Sequence, residues 1–352
     1  MKRTAITIIR ISDKKAGHDQ QSLGLSKALM SILALKSTAL IEIAPFKKLT
    51  AVGMCLRLNV DIDLKIALGI NQLEQKNTRY IVIGAGHGTH LSVLALKYYF
   101  KAIAIILMKP SLPRFLFDYC IIARHDGVKA STNALISDGA LNTLDLPVDL
   151  IKKNQHIILI GGLSTHFDWD TKIIIENICT WIMQQPLDMK IILTNSRRTP
   201  ENLNAQLWDN LTKITQQVQV TDHYAKTRID TDHFEWFDHQ NTPQGWLADQ
   251  LLHSQAALIT EDSVSMIYEA LTADVRLSLI RLSPIKRDKI AKNNQYLAAC
   301  GYLDYFDYFA VKHNAKKDIK KEINLPRLHK PLNESFRIAA KIKQQLIQKG
   351  FL

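Results

Sequence analysis

Several clusters in this chain could act on an anion or a hydroxyl group. Ser196-Arg197-Arg198-Thr199-Pro200 joins two guanidinium groups and two hydroxyls to a helix start, with Pro200 suited to the first helical turn. Guanidinium forks pair bidentately with phosphate, and a helix N-terminus adds N–H donors. Thr260-Glu261-Asp262-Ser263-Val264-Ser265-Met266-Ile267-Tyr268-Glu269-Ala270 ends a buried strand in acidic and hydroxyl residues that open a helix. Ser263 and Ser265 can cradle a phosphate there, and Glu269 can reach ribose hydroxyls. The alternative for the pair of clusters is solvated arginines with a Thr199 cap and an ordinary N-cap with helix charges.

Three further clusters lie in the first half. In Asp13-Lys14-Lys15-Ala16-Gly17-His18-Asp19-Gln20-Gln21-Ser22 a strand feeds a small-residue turn and a helix start. His18 could serve as a general base with Asp13 orienting it, because imidazole titrates near neutrality. Alternatively, Asp13 or Asp19 caps the helix and His18 is a surface residue. Gly84-Ala85-Gly86-His87-Gly88-Thr89-His90 allows close backbone approach to a ligand, or is a structural turn. His87 and His90 could share a metal, but no third ligand follows nearby, and no metal is expected. Arg124-His125-Asp126-Gly127 is either an Arg–Asp pair holding its loop or a contact to an acceptor or phosphate.

The elements that must position these residues alternate. Ala5–Ile11, Ala39–Ile43, Tyr80–Ile83, Ala102–Leu107 and Tyr119–Ala123 read as strands, with helices over Gln20–Leu33 and His87–Tyr98. The rhythm restarts at His156–Ile160, which runs into Gly161-Gly162. Strands follow over Lys190–Leu193, Ala256–Thr260 and Arg276–Arg281, with helices over Thr171–Met183, after Pro200, and over Ser263–Leu271. This pattern predicts an α/β chain of two Rossmann-like domains, residues 1–150 and 151–330, joined through Leu141–Asn154. Asn333–Lys349 has apolar residues at helical spacing and is expected to pack back on the first domain. Ligands of doubly wound sheets bind outside the carboxyl ends of strands, which is where the clusters stand.

Taken in order, the clusters resemble one family: the plant mitochondrial-fission proteins named for elongated mitochondria, whose many bacterial members are classed among glycosyltransferases. The matching pieces are Asp13-x-Lys15-Ala16-Gly17-His18-x-x-Gln21 with Gly24-Leu25, then Arg124-His125-Asp126, Gly161-Gly162, Ser196 to Pro200, and Glu261-Asp262-Ser263-Val264-Ser265-Met266 with Glu269-Ala270. The chain departs from the family pattern at Lys14, where a glycine is expected, at His87, where an arginine-type residue is expected, and at Asn241-Thr242-Pro243. The resemblance implies a GT-B-like fold, two domains facing a cleft with nucleotide-sugar on the second and acceptor on the first. It further implies sugar transfer from a nucleotide donor with no metal or other cofactor.

On this reading Gly161, Ser196, Arg197, Arg198, Thr199, Glu261, Asp262, Ser263, Ser265, Met266 and Glu269 serve the donor and its phosphates. Lys15, Gly17, Gly84, Gly86, His87, Arg124, His125 and Asp126 line the acceptor side, and His18 with Asp13 is the base. The alternative is a non-catalytic scaffold of the fission type that keeps the fold and recruits a partner.

Composition bounds these readings. Hydrophobic residues make up 47% and charged residues 22% of 352, which excludes wholesale disorder. Cys55, Cys120, Cys179 and Cys300 have neither metal-knuckle nor redox-pair spacing and are expected as reduced, buried thiols. A net charge of +12 favours anionic partners. Lys312, Lys316, Lys317, Lys320, Lys321, Arg327 and Lys330 form the densest basic stretch. A lipid-linked or anionic acceptor and an anionic membrane surface are therefore the expected partners. Nucleic acid is not, since no recognition helix or aromatic RNA-binding pattern is present. Ala5–Ile9 is too short and too soon broken by Arg10 for a signal peptide, and no window approaches the roughly 20 apolar residues of a membrane span. The expected location is the cytoplasm, peripheral on the inner face of the membrane at the cell envelope.

Overall fold

The computed structural model describes residues 5–33, 38–56, 78–147, 149–186, 188–221, 234–285, 288–308 and 331–352. The chain forms two compact units, Met1–Thr143 with Asn333–Leu352, and Leu144–Leu332. Residues 144–150, counted with the first domain above, thus belong to the second unit. The basic stretch from Lys312 to Lys330 lies outside the described residues.

In the first unit the elements run β1 (Ala5–Ile11), α1 (Ala16–Leu33), β2 (Thr38–Ile43), α2 (Lys48–Cys55), β3 (Thr78–Ala85), α3 (His90–Phe100), β4 (Ile103–Leu107), β5 (Tyr119–Ala123) and β6 (Ala134–Ser137). All neighbours in the sheet are parallel, in the order β2-β1-β3-β4-β5-β6. Its inner strands are rich in consecutive apolar residues because both faces are covered. Ile6, Ile8, Ile81, Ile83 and Ile105 pack on one side with Leu25 and Leu29 of α1. Ile9, Ile11, Val82 and Ile106 pack on the other with Val93 and Leu96 of α3. The chain returns to this unit as its last helix, Glu334–Gln348, capped by the Asn333 side chain on the Phe336 N–H. Ile338, Ala339, Ile342 and Leu346 of that helix join the α1 side of the core.

The second unit runs β7 (Gln155–Leu159), α4 (Thr171–Met183), β8 (Lys190–Thr194), α5 (Leu203–Thr221), β9 (Phe234–Phe237), α6 (Trp246–His253), β10 (Ala256–Thr260), α7 (Val264–Thr272), β11 (Arg276–Ile280), α8 (Lys289–Ala299) and β12 (Asp304–Phe306); the returning helix is α9. Its parallel sheet has the order β12-β11-β10-β7-β8-β9. Asp170 caps α4 through the N–H groups of Lys172 and Ile173. The helix then sets Ile174, Ile178, Trp181 and Ile182 against Ile158, Ile191 and Leu193 of the sheet.

Several elements escape the sequence pattern: α2, β6, β9, α8 and β12. The strands among them are short, and β9 and β12 are sheet edges with polar positions. α1 begins at Ala16 rather than Gln20, because Lys14 at φ 61° makes the turn and leaves Gly17 inside the helix. His87–Thr89 is a 3-10 turn, and α3 starts only at His90. All four cysteines are free thiols. Cys120 and Cys179 are buried, with burial raising them to about 11 and about 12, whereas Cys55 and Cys300 are half-buried. No helix among the described residues is long and apolar enough to cross a membrane.

His156, in the middle of the second sheet, is 1% exposed and stands 5.6 Å from the Trp181 ring. Burial, with a smaller contribution from the Arg276 charge, lowers its pKa to about 4. The unfolded imidazole titrates near 6.5, so protons bind the unfolded chain first. Stability from this site is complete above about pH 6.5 and falls as pH drops toward 4, by roughly 3 kcal/mol over the window. Urea midpoints at pH 7.5 and pH 4.5 should therefore differ less for His156→Leu than for the wild type. An equal drop in the two proteins would remove His156 as the cause.

Candidate functional site

In each sheet the strand order reverses once, between β1 and β3 in the first unit and between β7 and β10 in the second. The loops leaving those strands are neighbours, and the chemistry-bearing clusters of each unit meet there.

In the first unit Arg10, 2% exposed within β1, organises the loop. Its guanidinium donates to the Asp19 carboxylate at 2.8 Å and the Ser22 hydroxyl at 3.1 Å, and also pairs with Glu42. Burial would raise Asp19, but hydrogen bonds from Ser12 and Arg10 and the Arg10 charge outweigh it and hold Asp19 below the usual carboxylate range. Asp19 is thus committed to Arg10 rather than to a helix cap. Lys14 reaches Glu42 at 2.6 Å.

Asp13 accepts the Lys15 N–H at 3.2 Å and meets His18 Nδ1 at 2.9 Å. An ionised carboxylate only accepts, so Nδ1 donates in this contact, and in the neutral ring Nε2 is then the basic nitrogen, the arrangement of an oriented base. The imidazole rests on the β3 loop. Gly86 there has φ 75°, and a Cβ on it would lie 2.3 Å from His18 Cε1. Asp13, His18, Gly84 and Gly86 are therefore brought together, with Lys15 Nζ 3.9 Å from Asp13 Oδ2 and Gly17 in the first turn of α1. His87 is exposed. His90 is buried 3.3 Å from the Ser111 hydroxyl, and burial, then the His87 charge, lowers its pKa. Arg124-His125-Asp126 forms a separate 3-10 turn after β5, three strands from β1, where Arg124 pairs with Asp138. Among the described residues no three His, Cys, Asp or Glu side chains form a group that could hold a metal.

In the second unit a cavity of about 610 Å³ opens at the carboxyl ends of β8 and β10. Thr194, Asn195, Ser196, Arg197, Arg198, His239, Thr242, Trp246, Leu247, Ser263, Ser265 and Met266 line it. Beneath it lies Asp262, whose side chain is fully buried. The Asp262 carboxylate accepts the Gly162 N–H at 3.0 Å and pairs with Arg198 Nη2 at 2.8 Å. Arg198 Nη1 also donates to the carbonyls of Gly162 and Leu163. Gly162 passes under the β8 loop so closely that a Cβ would lie 2.1 Å from the Arg198 carbonyl. Thr199 donates to the Gly161 carbonyl and accepts the Ser196 N–H, and the Ser196 hydroxyl lies 3.0 Å from Gly161 O.

Gly161, Thr199 and Asp262 thus form the frame under the cavity, and Arg198 is both frame and wall. Arg197 lines the cavity with no ion pair or hydrogen bond of its side chain among the described residues. Ser263 is the N-cap residue of α7, but its hydroxyl turns to the Met266 sulfur at 3.1 Å and no side chain caps the helix. First-turn N–H groups of α7 are therefore left for a ligand. Glu261 points elsewhere: its carboxylate accepts from the Leu282 N–H and the Tyr305 hydroxyl, and burial still raises it. Glu269, in the second turn of α7, is outside the lining, and burial pushes its carboxyl up to about 7.

The opposite wall was not expected. Asn195 bonds Asp238 at 2.9 Å and accepts the His239 N–H at 2.7 Å, fixing the β9 loop against β8. Thr242 donates to the His239 carbonyl, and Trp246 packs 4.8 Å from Phe237. Asn241-Thr242-Pro243, a departure from the family pattern, is the sequence signal that falls near it.

A model of the family described as mitochondrial fission ELM1 matches residues 16–346. No curated protein matches the chain. Among solved structures, UDP-GlcNAc 2-epimerase from Methanocaldococcus jannaschii is 12% identical with a TM-score of 0.51, over 97% of this chain and 100% of that one. MnaA of S. aureus, in a co-structure with UDP, is 13% identical with a TM-score of 0.50, over 99% of this chain and 97% of that one. At these identities the likeness is one of fold, the GT-B class.

The two neighbouring arginines should separate on substitution. Arg198→Ala strands a buried carboxylate and should cost about 3 kcal/mol of stability, whereas Arg197→Ala should change it by no more than about 0.5 kcal/mol. Denaturant unfolding of both variants measures this, and equal losses would refute the division between frame and free wall.

Proposed function

The chain belongs to the mitochondrial fission ELM1 family, and from that premise we propose that it is a metal-independent glycosyltransferase using a nucleotide-sugar donor. The observation that carries the reading is the second-unit cavity, where Arg197, Arg198, Ser263 and Ser265 surround an uncapped helix start. A diphosphate leaving group needs such preorganised donors. The His239 and Trp246 wall offers flat surfaces for a base. Glu269, behind the lining on α7, is assigned to the ribose hydroxyls. A solved neighbour bound to UDP makes UDP the first nucleotide to try.

In the transfer step the acceptor hydroxyl gives its proton to His18 Nε2, its oxygen bonds to the sugar anomeric carbon, and the nucleoside diphosphate leaves with the bonding pair. Asp13 steadies the imidazolium through Nδ1. Lys15, Gly84, Gly86 and His87 are assigned to the acceptor side, and Arg124, His125 and Asp126 to its periphery. The net charge of +12 supports an anionic or lipid-linked acceptor and a peripheral position on a membrane.

A non-catalytic scaffold is the second reading, favoured by the family's description as a mitochondrial fission family. A scaffold has no need of a nucleotide. Calorimetry with UDP should give binding by the wild type and a loss of roughly tenfold or more for Arg197→Ala. Absence of binding by UDP, GDP and their sugar conjugates would favour the scaffold. Once a donor is found, His18→Ala should transfer sugar on the order of a hundredfold more slowly at unchanged donor affinity. Turnover at the wild-type rate would exclude His18 as the base.

A further inference from the structure

A second cavity lies in the first unit, at the carboxyl ends of β4 and β5. It is an open groove of about 660 Å³, and Lys109, Arg114 and Lys129 project into its lining. No acidic residue lines it. Neither ammonium nor the guanidinium makes a hydrogen bond or ion pair among the described residues. The nearby Asp118 carboxylate is already taken, by Lys97 at 3.0 Å and the Ala104 N–H at 2.8 Å. Three like charges around one concavity with no counter-ion raise the local concentration of anions.

The groove is built rather than fortuitous. Met108 ends β4 in the left-handed region, at φ 70°, and its N–H is held by Ile121 O at 2.8 Å. A non-glycine residue there carries strain that the fold has to hold in place. Pro110 and Pro113 stiffen the segment that follows. The carbonyl of Arg114 accepts Asn133 Nδ2 at 2.9 Å, which anchors its backbone while its side chain stays free. Leu112 and Val128 form the floor and pack on the core of the unit. Ser111 meets His90, so the groove is hydrogen-bonded to the residue that opens α3, directly after the Gly86 loop.

We propose that this groove binds a phosphate-type anion, with Arg114 as the planar fork and Lys109 and Lys129 as flanking point charges. The site does not depend on the glycosyltransferase reading. Phosphate of this chemistry can come from a soluble phosphorylated compound or from a phospholipid headgroup, and one experiment separates the sources. Lysine acylation by N-hydroxysuccinimide acetate is followed residue by residue by mass spectrometry, with Lys101 as the internal reference. Four additions are compared at matched ionic strength: inorganic phosphate, inorganic pyrophosphate, phosphatidylglycerol vesicles and phosphatidylcholine vesicles.

Lys109 and Lys129 should react up to about tenfold more slowly than Lys101 when the groove is occupied, and Arg114→Gln should abolish that protection. Protection by the soluble anions supports the site with a soluble phosphate ligand. Protection by phosphatidylglycerol alone supports it with a headgroup as ligand. Protection by neither, protection equal at Lys101, or protection that survives Arg114→Gln overturns the proposal. Circular dichroism of Arg114→Gln should match the wild type, since no contact of that guanidinium holds the fold.

Discussion

The Asp262 side chain has no solvent contact, and the second unit is arranged around that fact. A buried carboxylate must be paired and hydrogen-bonded to persist. Asp262 takes the Gly162 N–H from the β7 loop and the Arg198 guanidinium from the β8 loop, while standing itself at the end of β10. One group therefore fixes the ends of three adjacent strands. The close approach this demands leaves no room for a side chain on Gly162. It also decides which arginine is free: Arg198 is held against the frame, and Arg197 is left lining the cavity.

The first unit meets the same topological constraint with the opposite charge. Arg10 is the buried ion, and Asp19, Glu42 and Ser22 take its two Nη groups from α1 and β2. Fixing Asp19 fixes the start of α1, which holds His18 over Gly86 and within reach of Asp13. Lys14 shows what that turn requires. Its φ of 61° is a conformation that glycine adopts without steric cost, which gives a physical reason for the glycine expected there. In this chain the lysine also reaches Glu42 and so joins the Arg10 cluster.

The strands were legible because both faces of each sheet are covered, which turns a strand into an uninterrupted apolar run such as Ile157 to Ile160. The loop clusters were legible as residue types at strand ends. Their division of labour was not. Thr199 reads in sequence as a phosphate ligand or a cap, yet its hydroxyl goes to backbone carbonyls across the β7 loop. Glu261 reads as part of the same cluster, but the strand end turns it toward Tyr305. Such choices depend on partners far along the chain. His239 and Trp246 illustrate the same limit, since the pairing of β9 with β8 brings His239 to Asn195 and Trp246 stands against Phe237 of β9. Arg10 was noticed as a break in an apolar run, while its partner Glu42 is 32 residues away.

Net charge is a poor guide to where an anion binds, and the distribution of counter-ions is a better one. Many of the cations in this chain are neutralised locally: Arg10 by Asp19 and Glu42, Lys97 by Asp118, Arg124 by Asp138, Arg198 by Asp262, Arg337 by Glu334. Those pairs hold loops and helices and add little to the field outside the protein. Among the described residues, two concave surfaces present cations with no carboxylate in their lining, at Arg197 in one unit and at Lys109, Arg114 and Lys129 in the other. In the first-unit groove the Arg114 side chain extends from backbone whose carbonyl is held by Asn133. A surplus of +12 spread evenly would act through solvent and be screened within about 8 Å at physiological salt. Confined to fixed concavities, part of the same surplus becomes a means of selecting ligands by charge and shape.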